Sequence, residues 1–381
     1  MTAYANNLLE AMDGFGYGME DLLSAFPGRN IDYVTQVQRD NSNALSRPVI
    51  PYGLLGAHQC SSRYFNVGEH GMRLSQIPQA WPPTTAQTNI FVFGGSTVVG
   101  YYVEDAHTIP SLLQEKLRND NFAVYNLGGG NYTSRMAVLR FLLALENKFI
   151  PHIAIFLDGY NDCFYALADP PIVGVLDQLY QEEKRRRRLS FPKAVLDYLI
   201  SSGRARQRPL PNVLNYRAAE IDAMTDNLLD VMGVQNALRN SEMEISLSDL
   251  PAHQQILAEQ IWSRYMDNVA LSRAIAARHK IKTLFAWQPT PYFKTMKRHR
   301  ILEDLYPAFG HGAICSPVYN WLHAKGFPEM ADDPNFLDLS DIGGIADEVL
   351  YLDVCHYTPH MAAMIADKIA AFVLEHKEPM C

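Results

Sequence analysis

Uninterrupted apolar runs alternate with amphipathic stretches along most of the chain after residue 88. The run from Ile90 to Phe93 stops at two glycines, which is typical of a strand buried on both faces of a sheet. The same pattern predicts strands at 122–127, 153–157 and 281–287, and a short fifth strand at 349–352.

Helices are predicted between these strands, because the apolar residues there recur at helical spacing. One helix begins near Thr108, has Pro110 in its first turn and places Ile109, Leu113 and Leu117 on one face. Three more are predicted at 135–148, 251–279 and 359–376. This alternation predicts an α/β fold with three α/β/α layers and a parallel sheet covered on both faces.

Two regions depart from the pattern. Residues 1–85 are rich in Gly, Pro, Asn and Tyr and are predicted to be an N-terminal extension that packs on the core, with a turn and short strand at 66–73. The core domain, 86–381, is predicted to contain a mostly helical insertion at about 165–250. The insertion carries basic runs at 184–188 and 204–208, which suit an anionic partner but are interpreted here as a solvated helix face.

Composition limits the classes of function. A net charge of -8 over 381 residues argues against a nucleic-acid partner, and no apolar window is long enough for a membrane span. The first 30 residues hold four acidic residues and no basic start, so no secretory leader is expected. Five cysteines without a Cys-x-x-Cys pair indicate neither a disulfide framework nor a zinc site. We therefore expect a cytoplasmic protein.

Four short segments stand where predicted strands end. Because ligands of parallel sheets bind beyond the carboxyl ends of the strands, the four segments are expected to meet there. They supply a hydroxyl, two glycine-rich turns, a side-chain amide and an Asp/His pair, which is the set of groups that acyl transfer needs. The segments are Gly94-Gly95-Ser96-Thr97, Asn126-Leu127-Gly128-Gly129-Gly130-Asn131, Gly159-Tyr160-Asn161-Asp162 and Asp353-Val354-Cys355-His356.

Simpler interpretations exist for the first and third segments. Taken alone, the sequence around Ser96 is more typical of a helix cap or a phosphate-binding turn, although no lysine follows the glycines as in a P-loop. It does not match Gly-x-Ser-x-Gly. Asn161 is also a common turn or N-cap residue, and Asp162 is suited to cap the next helix.

The closing segment pairs His356 with Asp353, three residues earlier, whose carboxylate can bond one ring nitrogen and leave the other for a serine. Asp-x-x-His is a common spacing by itself. His356 and His360 could suggest a metal pair, but Pro359 lies between them and no third ligand is evident, so no metal is predicted. Cys355 is interpreted as a small packed residue.

As a set, these segments resemble the conserved blocks of the SGNH hydrolases, also called GDSL-type esterases and lipases. The resemblance covers about 86–165 and 260–376, and makes 86–381 an SGNH-type catalytic domain with a flavodoxin-like sheet. It implies that Ser96 is the nucleophile, His356 the base and Asp353 the acid that orients it. Asn161 and the Ser96 N–H would donate to the oxyanion, and no metal or organic cofactor is implied.

One position departs from the family pattern. Asn131 stands where the second block usually has a glycine that donates its N–H to the oxyanion. Asn tolerates a positive φ angle better than other non-glycine residues, so the backbone can keep its shape. Alternatively, Gly130 supplies the N–H in a shifted turn.

The resemblance implies a serine hydrolase that cleaves O-acyl esters, with O-acetyl groups on a carbohydrate as the expected substrate, through an acyl-enzyme. A small-molecule or glycan ester is thus the expected partner. An O-acyltransferase with the same residues is the first alternative, since both reactions share the acyl-enzyme. A catalytically silent binding module is the second, and a nucleotide-binding protein is the weakest because the usual glycine motifs are missing.

Overall fold

The computed structural model describes residues 23–44, 49–50, 52, 54–167, 250–293, 311–343, 349–353 and 355–375. The predicted helical insertion and its basic runs lie almost wholly outside these residues. All described residues belong to one compact unit, made by the chain before residue 168 and after residue 249. None of the helices in the described ranges is long and apolar enough to cross a membrane.

The strands form a small antiparallel pair and a five-stranded parallel sheet. The pair is β1 (Val49–Ile50) and β2 (Leu54–Leu55). The sheet contains β3 (Thr88–Gly94), β4 (Phe122–Asn126), β5 (Ile153–Asp158), β6 (Lys282–Trp287) and β7 (Phe336–Asp338) in the order β4-β3-β5-β6-β7. Counted within the sheet, this is the order 2-1-3-4-5 of flavodoxin-like folds, so the predicted fold class is confirmed.

Helices cover both faces of this sheet. The described helices are α1 (Ile31–Ala44), α2 (Ser96–Val99), α3 (Ile109–Leu117), α4 (Ser134–Glu146), α5 (Tyr160–Phe164), α6 (Leu250–His279), α7 (His311–Trp321), α8 (Phe327–Glu329) and α9 (Pro359–Glu375). The helices predicted from the pattern are α3, α4, α6 and α9, which begin and end within two residues of the expected positions. Short 3-10 turns lie at Asp105–His107 and Tyr165–Leu167, and a π-helical turn at Leu322–Gly326.

Alternate side chains of β3 enter different halves of the core. Ile90 and Val92 pack with apolar residues of α3 and α9, whereas Phe91 and Phe93 pack with residues of α4 and α6. All four side chains are fully buried. A strand that needs apolar residues on both faces gives the uninterrupted run seen in the sequence.

The prediction of a fifth strand at 349–352 is wrong. The fifth strand is β7, while Tyr351 forms only an isolated antiparallel bridge with Tyr357. The backbone of this segment bonds across its own turn: Leu352 N–H donates to the His356 carbonyl at 2.8 Å, and Thr358 N–H donates to the Leu350 carbonyl at 3.0 Å. These bonds close the turn that carries Asp353 and His356.

The expected turn and short strand at 66–73 is present as a turn with isolated bridges. Gly71 N–H donates to the Gly68 carbonyl, and Gly68 N–H to the Met72 carbonyl. Arg73 then bridges to Asn126 at the end of β4. This part of the N-terminal region therefore reaches the edge of the sheet on which the four segments lie.

Candidate active site

Two glycines bring the end of β3 close to the end of β5. Gly94 has a φ of 152°, and a Cβ there would lie 2.2 Å from the Leu157 carbonyl oxygen. Gly95 has an ordinary φ of -80°, but its Cβ would lie 2.7 Å from the side-chain nitrogen of Asn161. The turn is therefore open only to glycine, and it places Ser96 at the first residue of α2.

The structure brings Ser96, His356 and Asp353 together. His356 Nε2 lies 2.8 Å from Ser96 Oγ, and His356 Nδ1 lies 2.6 Å from Asp353 Oδ2. Ser96 is 6% exposed and His356 9%, so both lie largely out of water. Because an ionised carboxylate only accepts, Nδ1 donates to Asp353, which leaves Nε2 facing the Ser96 hydroxyl.

Asp353 is held in its ionised form. Burial alone would raise its pKa, but the charge of His356 and hydrogen bonds to the carboxylate lower the pKa to about 2. The backbone N–H groups of Cys355 and His356 donate to Oδ1 at 2.8 and 2.7 Å. The same three-residue spacing thus fixes both the charge of the acid and the orientation of the ring.

Several N–H donors surround Ser96. Its own N–H is at the N-terminus of α2, where no earlier helical carbonyl can accept it. Asn161 Nδ2 donates to the Tyr132 carbonyl at 2.8 Å and lies beside Gly95. The N–H of Gly130 has no acceptor within the described ranges. Asn131 adopts a φ of 63°, the left-handed conformation that the sequence allowed for.

Asp162 joins the Asn161 segment to the start of α4. Its carboxylate accepts the Ser134 N–H at 3.0 Å and also the Ser134 hydroxyl, to which Asn268 donates at 2.7 Å. The sequence suggested that Asp162 caps the helix directly after its segment, whereas its carboxylate caps α4, the helix that follows Tyr132. Burial raises the pKa of Asp162 to about 6, although these hydrogen bonds act to lower it. The pKa of neighbouring Asp158 is also raised, by burial and by the charge of Asp162.

Two aromatic rings that the sequence analysis did not single out pack against His356. The ring centroids of Tyr101 and Tyr102 lie 5.8 and 4.9 Å from that of His356. The signal available in the sequence was their position, directly after the segment that carries Ser96. Arg73 holds the loop they belong to, since it donates to the carbonyls of Val99, Gly100 and Val103.

Cys355 lies beside the pair formed by Asp353 and His356. Its Sγ is 3.5 Å from His356 Nδ1, and burial raises the pKa of the thiol. Asp353, Cys355 and His356 form a group of potential metal ligands whose atoms lie within 4.8 Å of one another. His360 is exposed and is not part of this group. Since the carboxylate and the imidazole already bond each other, the arrangement serves proton transfer better than metal binding.

Comparisons with known proteins give structural matches only. No protein family and no curated protein matches the sequence. Solved structures that match include a Desulfitobacterium hafniense protein described as a lipolytic member of the G-D-S-L family, at 10% identity, a TM-score of 0.37 and coverage of 75% of this chain and 99% of the other. A Bacteroides fragilis protein described as an acylhydrolase matches at 11% identity, a TM-score of 0.38 and coverage of 79% and 91%.

A third match is a GDSL-like lipase from Bacteroides thetaiotaomicron, at 10% identity, a TM-score of 0.33 and coverage of 78% of this chain and 93% of the other. Identities and TM-scores this low do not decide what the chain does. The activity is therefore inferred from the strand order of the sheet and from the contacts around Ser96.

Proposed function

We propose that the protein is a serine hydrolase of the SGNH type that cleaves carboxylic esters through an acyl-enzyme on Ser96. The observation that carries the proposal is the pair of short contacts made by His356, 2.8 Å from Ser96 Oγ and 2.6 Å from Asp353 Oδ2. A nucleophile, a base and an orienting acid in this relation perform acyl transfer on several unrelated folds.

The proposed reaction has two halves. Ser96 Oγ attacks the ester carbonyl carbon while His356 Nε2 takes the hydroxyl proton, and the tetrahedral intermediate collapses as His356 returns that proton to the leaving alcohol oxygen. Water then attacks the acyl-enzyme, His356 takes a proton from it, and the carboxylic acid leaves as the proton returns to Ser96 Oγ. Asp353 stays ionised and stabilises the imidazolium in both halves.

We assign the stabilisation of the oxyanion to the N–H donors around the glycine turn. The Ser96 N–H and Asn161 Nδ2 are two of them, and Gly130 or Asn131 provides a third. A donor of this kind contributes about 3 kcal/mol to transition-state stabilisation, because it points at charge that develops only during the reaction. The hydrogen bond from Asn161 to the Tyr132 carbonyl supports this role, since it fixes the amide beside Gly95.

The substrate we propose is an O-acyl ester of a small molecule or a glycan. Among such esters, an O-acetyl ester is the first candidate. The resemblance to SGNH hydrolases suggests this class, and Asn131 in place of the usual glycine is consistent with a short acyl group. Whether the acyl group passes to water or to a sugar hydroxyl is tested by product analysis with and without a sugar acceptor. Acylated acceptor in place of free acid would favour an O-acyltransferase.

The direct test is hydrolysis of 4-nitrophenyl acetate by the wild type, Ser96→Ala and His356→Gln. We expect each variant to lose at least about a thousandfold in kcat, because the three residues act as a unit. Thermal unfolding of each variant controls for misfolding. A wild-type protein that binds but never hydrolyses esters would instead identify a binding module, and a variant with wild-type kcat would remove that residue from the mechanism.

A further inference from the structure

Arg140 is a charged side chain that the reaction described above does not use. It lies on α4, is partly buried, and lines a narrow cleft together with Tyr101, Gly130 and Tyr132. It has no hydrogen bond and no carboxylate partner among the residues that the structure describes, and the one ionisable group that acts on it there is the Tyr132 phenol. Burial lowers the pKa of the Arg140 guanidinium.

Arg73, which lines the same cleft, shows what a structural arginine looks like here. Its Nε bonds Asp105 at 2.9 Å, and its other nitrogens donate to four main-chain carbonyls. Arg73 is thus neutralised and saturated with acceptors, as a buried arginine normally is. A guanidinium that is partly withdrawn from water without such partners carries a desolvation cost, and an anion that binds it offsets that cost.

The cleft shares wall residues with the surroundings of the candidate active site. Tyr101, in its wall, has its ring centroid 5.8 Å from that of His356. Gly130 belongs to the turn that offers oxyanion donors, and the main chain of Tyr132 holds the Asn161 amide. Residues that contact His356 and Asn161 therefore line the same cleft as Arg140, which places Arg140 on the side of the site where Tyr101 and Gly130 lie.

We propose that Arg140 binds an anionic group, a carboxylate or a phosphate, of the ester whose acyl group is transferred to Ser96. This inference rests on the proposed function and narrows its substrate class. The planar guanidinium can donate two parallel N–H bonds to such a group, and no acceptor of the described chain competes for them. The anion can belong to the acyl part of the ester or to the alcohol part.

Two matched pairs of esters test the proposal. The acyl-side pair is 4-nitrophenyl succinate, which is anionic, and neutral 4-nitrophenyl butyrate; the alcohol-side pair is acetylated glucuronic acid and acetylated glucose. For each pair we measure the ratio of kcat/KM for the anionic ester to that for the neutral one. We expect the wild type to prefer the anionic member of one pair, and the pair that shows the preference identifies the side that carries the charge.

Substitutions of Arg140 then ask whether it causes the preference. Arg140→Gln should lower the ratio by roughly 10- to 100-fold, mainly through KM, and Arg140→Lys should restore part of it, since lysine keeps the charge without the fork. Arg135 lies on the same helix but is exposed, so Arg135→Gln is the matched control and should keep the wild-type ratio.

The outcomes separate the two proposals. If neutral esters are hydrolysed but the wild type shows no charge preference in either pair, or if Arg140→Gln keeps the wild-type ratio, the role of Arg140 is wrong and the esterase stands. If Arg140→Gln only lowers the unfolding temperature and changes both members of each pair equally, the residue is structural. If no ester is turned over and Ser96 is never acylated, the proposed function itself fails.

Discussion

The ring of Tyr102 stands edge-on to the ring of His356, with 4.9 Å between the centroids and 89° between the planes. Tyr102 has a φ of 68°, a left-handed conformation that a bulky residue rarely adopts. Asn41 of α1 accepts its N–H at 2.8 Å, and Gln38 donates to its carbonyl at 3.3 Å. A helix outside the predicted core domain thus holds an aromatic ring against the proposed base.

Tyr102→Ala should lower kcat/KM for 4-nitrophenyl acetate by about tenfold or more, because the imidazole loses the surface that fixes its plane against Ser96. Tyr102→Phe keeps the ring and should retain most of the activity. Steady-state kinetics of both variants, with unfolding temperatures alongside, provide the measurement. Equal losses in the two variants would mean that the hydroxyl, and not the ring, matters.

Gly95→Ala should lower kcat by about a hundredfold with little change in KM, because the new Cβ would lie 2.7 Å from Asn161 Nδ2 and displace the proposed oxyanion donor. The backbone is not the obstacle, since φ is -80°. Kinetics of Gly95→Ala, Asn161→Ala and the double variant form a cycle. Additive losses in the double variant would show that the methyl group does not act through Asn161.

Asp353 should stabilise the fold above about pH 4. Its folded pKa of about 2 lies below the ordinary 3.8, so the charged form is favoured in the folded state. That contribution is present above the unfolded pKa and is lost as the pH falls from about 4 to about 2. We expect it to be worth about 2 kcal/mol.

The measurement is the free energy of unfolding by urea between pH 2 and 6, for the wild type and Asp353→Asn. The advantage of the wild type should grow as the pH rises through the window from 2 to 4 and then level off. A difference between the two proteins that stays constant over this window would mean that the carboxylate is not specifically stabilised in the folded state.

Asn131→Gly should shift acyl-chain preference from acetyl toward butyryl and longer 4-nitrophenyl esters, because the side chain at the usual glycine position is removed. Asn121→Gly is the matched control. Asn121 also has a positive φ, 58°, but lies on the turn before β4 at the other end of that strand. If Asn131→Gly leaves the chain-length profile unchanged, Asn131 does not limit the acyl group.

The parts of the fold that follow local pattern could be predicted. The run at Ile90 to Phe93 and the glycines after it gave β3 and the turn that carries Ser96. The order of the four segments gave the pairing of Ser96 with His356 across 260 residues. Each of these depends on a strand with apolar residues on both faces, and such a strand appears in the sequence as an uninterrupted apolar run.

The remaining parts depend on contacts that produce no recognisable pattern in the sequence. β7 lies at the edge of the sheet and has only three residues, none of them fully buried. It therefore lacks the long apolar run that identifies the central strands in the sequence. Asn41 meets Tyr102 across 61 residues, and Arg73 meets Asp105 across 32. Both are polar bonds that involve irregular segments, and neither hydrophobic periodicity nor residue spacing predicts such bonds.

The most direct test of the central claim is the intact mass of the protein after reaction with a fluorophosphonate ester, which phosphonylates an activated serine. The account predicts one adduct on the wild type, none on Ser96→Ala, and a peptide map that places the adduct on Ser96. An unmodified wild type, or a Ser96→Ala variant labelled as fast as the wild type, would contradict it.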